Sequence, residues 1–178
     1  MSRVQETIGV YGTAAAHGFA TWLQGTSASG SIQSVSWIIP FVQSIHIVMI
    51  GVVFVSCLMI VLRVLGMMRT DEPAEAVWRR FAPWMWSALA VMAATGITLV
   101  VGEPEREFGA FSFWMKMLLV AIGVAGTALY GRSLKAAAVG AAAEFPVSVK
   151  AASILIVIVW LAVIFLGRAI AYDKQVWG

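Results

Sequence analysis

Four long apolar segments alternate with short polar loops along this 178-residue chain. They cover about residues 37–62, 81–101, 111–130 and 151–166, and each approaches the roughly 20 residues that a helix needs to cross the hydrocarbon of a bilayer. Aromatic residues stand near the segment ends, as in the belts at membrane–water interfaces: Trp37, Trp84, Trp86, Trp114 and Tyr130. The pattern predicts four transmembrane helices.

The first 30 residues follow a different pattern. They are too polar to span a bilayer, but Phe19, Trp22 and Leu23 give them an apolar edge. This edge predicts either a short helix lying in the interface or a cap packed over the bundle. The predicted fold class is therefore all-α: an integral membrane four-helix bundle over 31–178, with a short N-terminal amphipathic helix on the outer side over 1–30.

Composition supports the membrane class. Hydrophobic residues make up 61% of the chain and charged residues 12%, whereas globular soluble domains carry about a quarter charged residues. The net charge of +3 comes from basic residues that flank the apolar segments, so we expect no nucleic-acid partner. The single cysteine, Cys57, excludes an intrachain disulfide and most sulfur-based metal motifs.

The loops predict an orientation. The first and third loops are basic and the second is acidic, so the basic loops should lie in the cytoplasm and both termini in the periplasm of a bacterium. Within the first loop we expect an amphipathic helix that begins near Pro73 and ends at Arg79 and Arg80. The glutamates of the second loop, Glu103, Glu105 and Glu107, are expected to be solvated.

The first apolar segment carries an intramembrane histidine, His46. At about 100° per residue, Gln43 and Met49 fall on the same face as His46, and we expect this polar face to turn into the bundle. A rise of 1.5 Å per residue places His46 about 5 Å outward of the segment midpoint. The same rise puts Thr95 and Met117 at about that level.

One hypothesis for this layer is a haem b site. His46 would be one axial ligand, and the other would be His17, Met117 or His46 of a second subunit. Lys116 and Arg168, both predicted in the outer half, would pair with the haem propionates. Thr95 and Gly96 would leave room for the ring.

Two other hypotheses remain open. His46, Met49, Met115 and Met117 are donors suited to Cu(I), which predicts a copper site. Alternatively, His46 bonds to a backbone carbonyl or to Gln43 across a helix contact, and no cofactor is bound. We expect His17 to be a cap or surface histidine rather than a ligand. The chain has no Ser-His-Asp or Cys-His set, so an electron-transfer or accessory subunit is expected rather than an enzyme.

Several short motifs occur in a fixed order over about residues 21–119: WIIPFVQSIHIV, LRVLGM, PWMW, TGITLV and FWMKMLL. This order resembles a family of small bacterial four-span membrane proteins with a P-[LF]-V-[EQ]-[ST]-[IL]-H motif. That family is in turn distantly similar to CopD copper-resistance proteins and cytochrome b561-like bundles. The resemblance implies a four-span bundle with a functional His46.

The b561-like group uses paired histidines on facing helices, and here spans two to four contain none. Two fully histidine-ligated haems within one chain are therefore excluded. The leading hypothesis is a small haem b redox subunit of the bacterial inner membrane. It would pass electrons between a periplasmic partner and quinone or a larger membrane complex, as a homo-oligomer or as a subunit. The alternatives are a cofactor-free structural or assembly subunit and a CopD-like copper-handling protein.

Overall fold

The structure, a computed structural model, describes residues 14–137 and 145–172, and within these ranges every regular element is a helix. The all-α prediction is confirmed, although residues 1–13 of the predicted N-terminal segment lie outside the described ranges. The elements are α1 (Ala14–Gln24), α2 (Ser27–Gln33), α3 (Ile38–Val64), α4 (Ala74–Gly102), α5 (Pro104–Phe108), α6 (Phe111–Ala137), α7 (Val147–Ala169) and a closing 3₁₀ turn (Ile170–Tyr172).

Four helices, α3, α4, α6 and α7, are long and apolar enough to cross a membrane, with apolar stretches of 22 to 29 residues. Only 22–28% of the residues in the most apolar part of each span are buried within the bundle. Large apolar side chains are exposed on every span, among them Phe41, Ile97, Leu118 and Phe165, as in helices that contact lipid. The protein is a multi-pass membrane protein, as predicted.

The separate amphipathic helix expected before the second span does not form. Helix α4 begins at Ala74, directly after Pro73, and continues without a break through Pro83 to Gly102. Buried Trp78, Ala82 and Met85 follow one another at spacings of four and three residues. They form one buried stripe that crosses the boundary expected between the loop helix and the second span. A single helix therefore buries the apolar side chains on both sides of that boundary.

The spans are arranged as two hairpins. Helix α3 packs along α4, α6 packs along α7, and the hairpins join mainly where α3 meets α7. At the ends of the spans that carry Val64 and Ala74, which we call the inner ends, α4 also contacts α6. There the indole of Trp78 lies against the backbone of Gly131. The inner loop is held by Glu72, whose carboxylate pairs with Arg69 at 2.8 Å and Arg80 at 3.2 Å.

The N-terminal helices cap the outer ends of the spans, that is, the ends at Ile38, Gly102 and Phe111. Helix α1 packs on α5, where the rings of Phe19 and Phe108 meet edge to face at 5.6 Å. Helix α2 is tied to the end of α4, because Gln33 Nε2 donates to the Gly102 carbonyl oxygen at 2.9 Å. The N-terminal helices are thus packed on the ends of the spans, with Phe19 and Trp22 still largely exposed.

The buried core is concentrated in the inner half of the bundle, where Val53, Cys57, Met85, Leu134 and Trp160 belong to one continuous cluster. A smaller outer core of Ala110, Phe113 and Ile170 joins α6 to the closing turn. Between the two cores, no residue of 38–52 in α3 or of 89–101 in α4 is buried. We call these two ranges the open layer.

The contact between Trp78 and Gly131 yields a test of the hairpin packing. In Gly131→Ala the added methyl would lie inside the van der Waals contact of the Trp78 indole. We expect a loss of about 1–3 kcal/mol in the free energy of unfolding, measured by thermal melting in detergent. Gly126→Ala on the same helix is the control, since nothing lies within 4 Å of its added carbon. Equal melting temperatures for the two variants would contradict this packing.

Candidate functional site

His46 lies in the open layer and faces α4. Its Nδ1 is 2.8 Å from the hydroxyl oxygen of Thr95. The equal depth predicted for these two residues is thus observed as a direct side-chain contact between the first and second spans. His46 itself is only partly buried in the single chain.

The hydroxyl of Thr95 determines which imidazole nitrogen carries the proton. Its oxygen lies 2.8 Å from the carbonyl oxygen of Val91 and 3.2 Å from that of Met92. A carbonyl only accepts, so the single hydroxyl hydrogen is used within α4. Both side chains then form bonds when His46 Nδ1–H donates to Thr95. We infer a neutral imidazole with an unprotonated Nε2.

The imidazole lies close to the backbone of α4. The ring carbon Cε1 of His46 lies 3.5 Å from the point where a Cβ on Gly96 would stand, which is ordinary van der Waals distance. The glycine therefore presents bare backbone to the ring edge between the two nitrogens, and Thr95 contacts Nδ1.

Lys116 lies near this site from the third span. Its Nζ is 5.6 Å from the centroid of the Phe113 ring, and its stem passes 3.7 Å from the position of a Cβ on Gly167. Its charge acts on both His46 and Glu107. In the part of the chain that the structure describes, no carboxylate forms an ion pair with Lys116. The ammonium group is therefore placed for an anionic partner.

The acidic loop above the site is more ordered than the sequence predicts. Glu107 is buried, with 7% of its surface exposed, so the expectation of a solvated carboxylate is wrong for this residue. Arg106 pairs with Glu103 at 2.6 Å and with Glu107 at 3.3 Å. Sequence reasoning missed Glu107 because a loop has no periodicity from which a buried face can be predicted.

Three of the predicted site residues do not join His46. The Gln43 side chain is exposed, so the inward face predicted for it is wrong. A separation of three residues leaves Gln43 about 60° around the helix from His46, on the side away from the core. Met117 is 46% exposed. Its side chain lies about 100° around the helix from that of Lys116, so the two residues occupy different faces of α6. The Arg168 guanidinium instead lies over the Tyr172 ring at 5.3 Å and donates to its hydroxyl at 3.3 Å.

His17 lies in the cap helix α1 and is partly buried. Its backbone carbonyl accepts from the Thr21 hydroxyl at 3.0 Å, while its Nε2 is buried without a hydrogen-bond partner. No contact between His17 and His46 occurs among the described residues. Within 14–137 and 145–172, no group of three or more histidine, cysteine, aspartate or glutamate side chains is arranged to hold a metal ion.

The chain belongs to a protein family described as "Family of unknown function (DUF6644)", whose model matches residues 20–173. The match includes the end of α1, the rest of the cap and all four spans; it contains His46 but not His17. Neither curated proteins nor solved structures gave a significant match.

The proton assignment yields a spectroscopic prediction. With ¹⁵N-labelled histidine, we expect His46 to show the pattern of a neutral ring protonated on Nδ1, because Thr95 accepts from that nitrogen. Thr95→Val removes the acceptor, so we expect the Nδ1–H signal to shift and the free energy of unfolding to fall by about 1–2 kcal/mol. Thr95→Ser keeps the hydroxyl and serves as the control. His17→Ala assigns the second histidine signal, and a wild-type His46 protonated on Nε2 would contradict the assignment.

Proposed function

We propose that this member of the DUF6644 family is a small redox subunit of the bacterial inner membrane. It would hold one haem b in the outer half of the bundle, with His46 Nε2 as an axial ligand. It would pass electrons between a periplasmic partner and quinone or a larger membrane complex. The resemblance of its motifs to a family that is distantly similar to CopD proteins and b561-like bundles supports a ligand role for His46.

The observation that carries this proposal is the 2.8 Å contact between His46 Nδ1 and the Thr95 hydroxyl, in which we infer that Nδ1–H donates. Histidines that bind metals usually donate their other ring N–H to a protein acceptor, which fixes the tautomer and the ring orientation. Thr95 does this for Nδ1 and leaves the lone pair of Nε2 available. A histidine that served only to join two helices would need no free nitrogen.

The open layer provides the second line of support. At the level of His46, α3 and α4 bury no residue, whereas the inner half of the same helices is closely packed. Two cavities between the spans hold only about 10 Å³ each, which is space for a single water, and one of them is lined by Ile50 and Met92 of the open layer. The haem is therefore proposed on the unburied surface of the open layer, beside His46 and Thr95.

Lys116 is the residue placed to neutralise a propionate. It lies toward the outer side of His46 and has no carboxylate partner among the described residues. Arg168, the other predicted propionate partner, is engaged with Tyr172 and is left out of the proposal. The haem, when bound, supplies one-electron oxidation and reduction. The chain itself binds and orients the group and sets the charge around it.

Absorption spectroscopy of the purified protein tests the proposal. After expression with a haem precursor, we expect a Soret band and reduced b-type α and β bands, because His46 binds the iron. We expect His46→Ala to lose the bands. Met117→Leu is the matched control: Met117 is 46% exposed and points away, so the spectrum should be unchanged.

Two results would replace the haem proposal. A colourless protein with stoichiometric copper, lost in His46→Ala, would indicate a CopD-like copper-handling protein. A colourless, metal-free protein that copurifies with larger subunits would indicate a structural or assembly subunit.

The proposed orientation, with both termini in the periplasm, has its own test. In a Cys57→Ser background, we expect a membrane-impermeant thiol reagent added to spheroplasts to label Glu105→Cys but not Arg79→Cys. Glu105 lies in the acidic second loop, and Arg79 lies at the exposed inner end of α4, among the basic residues that remain cytoplasmic. Labelling of Arg79→Cys alone would reverse the orientation.

A further inference from the structure

Helix α1 of the cap carries aromatic side chains on one side of its buried face and polar side chains on the other. At about 100° per residue, Phe19 and Thr21 lie to either side of Ala20, which is only 1% exposed. Trp22 falls about 60° from Phe19, and Gln24 falls about 60° from Thr21. We call Phe19 and Trp22 the aromatic flank, and Thr21 and Gln24 the polar flank. All four side chains of the two flanks are exposed.

The aromatic flank is one apolar patch. Phe19 is 49% exposed and Trp22 is 64% exposed, and their ring centroids lie 5.5 Å apart. Two adjacent exposed rings keep apolar area in contact with water unless another apolar surface covers them. The polar flank has no such cost, because its hydroxyl and amide groups bond to water. The two flanks therefore suit different surroundings.

The aromatic flank is continuous with the lipid-facing surface of the third span. The ring of Phe19 contacts that of Phe108, whose centroid lies 5.9 Å from the ring of Trp114. Trp114 Nε1 also donates to the Phe108 carbonyl oxygen at 3.1 Å. Trp114 belongs to the first turn of α6 and is exposed, as is Leu118 one turn further along the span. The rings thus run without a gap from the cap to a helix face that contacts lipid.

Exposed aromatic residues also mark the outer end of the first span. The ring of Trp37 meets that of Phe41 edge to face at 5.9 Å, and both side chains are more than half exposed. Tryptophan rings are typical of the headgroup level of a bilayer, because they combine an apolar body with a hydrogen-bonding N–H. The aromatic flank lies at the same ends of the spans, since α1 packs on α5, which connects the outer ends of α4 and α6.

We propose that α1 lies in the plane of the membrane interface at the outer ends of the spans. The aromatic flank is inserted about 5–10 Å into the boundary between headgroups and acyl chains, and the polar flank faces water. The occupant of this surface is the lipid bilayer, because the surface continues the one that the spans present to lipid. This placement depends on no cofactor at His46 and goes beyond the proposed function.

Spin labels on single cysteines test the placement in the full chain, reconstituted into vesicles of phosphatidylethanolamine and phosphatidylglycerol. The background is Cys57→Ser, and the labelled variants are Trp22→Cys, Gln24→Cys and Leu118→Cys. Collisions are measured with oxygen, which concentrates in hydrocarbon, and with a water-soluble nickel complex. Gln24 is the matched control on the same helix, and Leu118 is the lipid reference. We expect the ratio of oxygen to nickel collisions at Trp22 to lie above that at Gln24 and below that at Leu118.

Tryptophan fluorescence gives a second readout that leaves the cap unlabelled. The difference in emission between the wild-type protein and Trp22→Phe isolates the signal of Trp22. We expect this signal to be blue-shifted, and to be quenched more by lipids brominated near the headgroup than by lipids brominated near the chain end. Such quenching supports the placement even where a label at Trp22 displaces the cap.

Two results would overturn the proposal. The first is a collision ratio at Trp22 equal to that at Gln24, together with Trp22 emission that neither brominated lipid quenches, which would leave α1 in water. The second is a label at Trp22 that is shielded from both reagents in native membranes but open to the nickel complex in vesicles, which would assign the aromatic flank to a protein partner.

Discussion

Hydrocarbon offers no hydrogen-bond partner, and the polar side chains of the four spans are arranged under this constraint. Most are satisfied locally: Ser44 donates to the Pro40 carbonyl at 2.8 Å and Thr98 to the Ala94 carbonyl at 3.0 Å. These bonds stay within one helix and place no demand on its neighbours. An imidazole has two nitrogens and cannot be satisfied in this way, so His46 has to bond across to Thr95. That bond joins α3 to α4 in the outer half.

The inner half meets the same constraint by different means. The hydroxyl of Tyr130 is 2.5 Å from that of Ser153, and Trp160 Nε1 donates to the Thr127 hydroxyl at 3.3 Å. Both bonds join α6 to α7, and both are buried among tightly packed apolar residues. The inner polar pairs are thus closed on themselves and hold the second hairpin together. Within the described residues, the pair of His46 and Thr95 in the outer half lies instead next to residues that the chain does not bury.

The difference between the halves shows what could be predicted from the sequence. Span number, approximate limits and the common depth of His46 and Thr95 follow from apolar length and rise per residue, which are properties of single helices. Whether Gln43 and Met117 face the bundle or the outside depends on which helices are neighbours. The periodicity of a single helix does not show which helices those are. Both residues lie at the predicted depth but on the wrong side. The continuity of α4 was missed because charges before Phe81 resemble a loop helix, although the stripe of Trp78, Ala82 and Met85 was already present.

The ammonium group of Lys116 is costly to place within a span. A cation in the outer half of a membrane is costly unless water or an anion compensates its charge. Glu107 reduces that cost electrostatically but forms no ion pair with it, because this carboxylate is held by Arg106 at 3.3 Å. A histidine bearing a free nitrogen and a cation without a close counterion therefore lie within electrostatic range of each other beside an unburied layer. Packing alone would favour apolar residues at both positions. The proposed haem would offer a Lewis acid to one and an anion to the other.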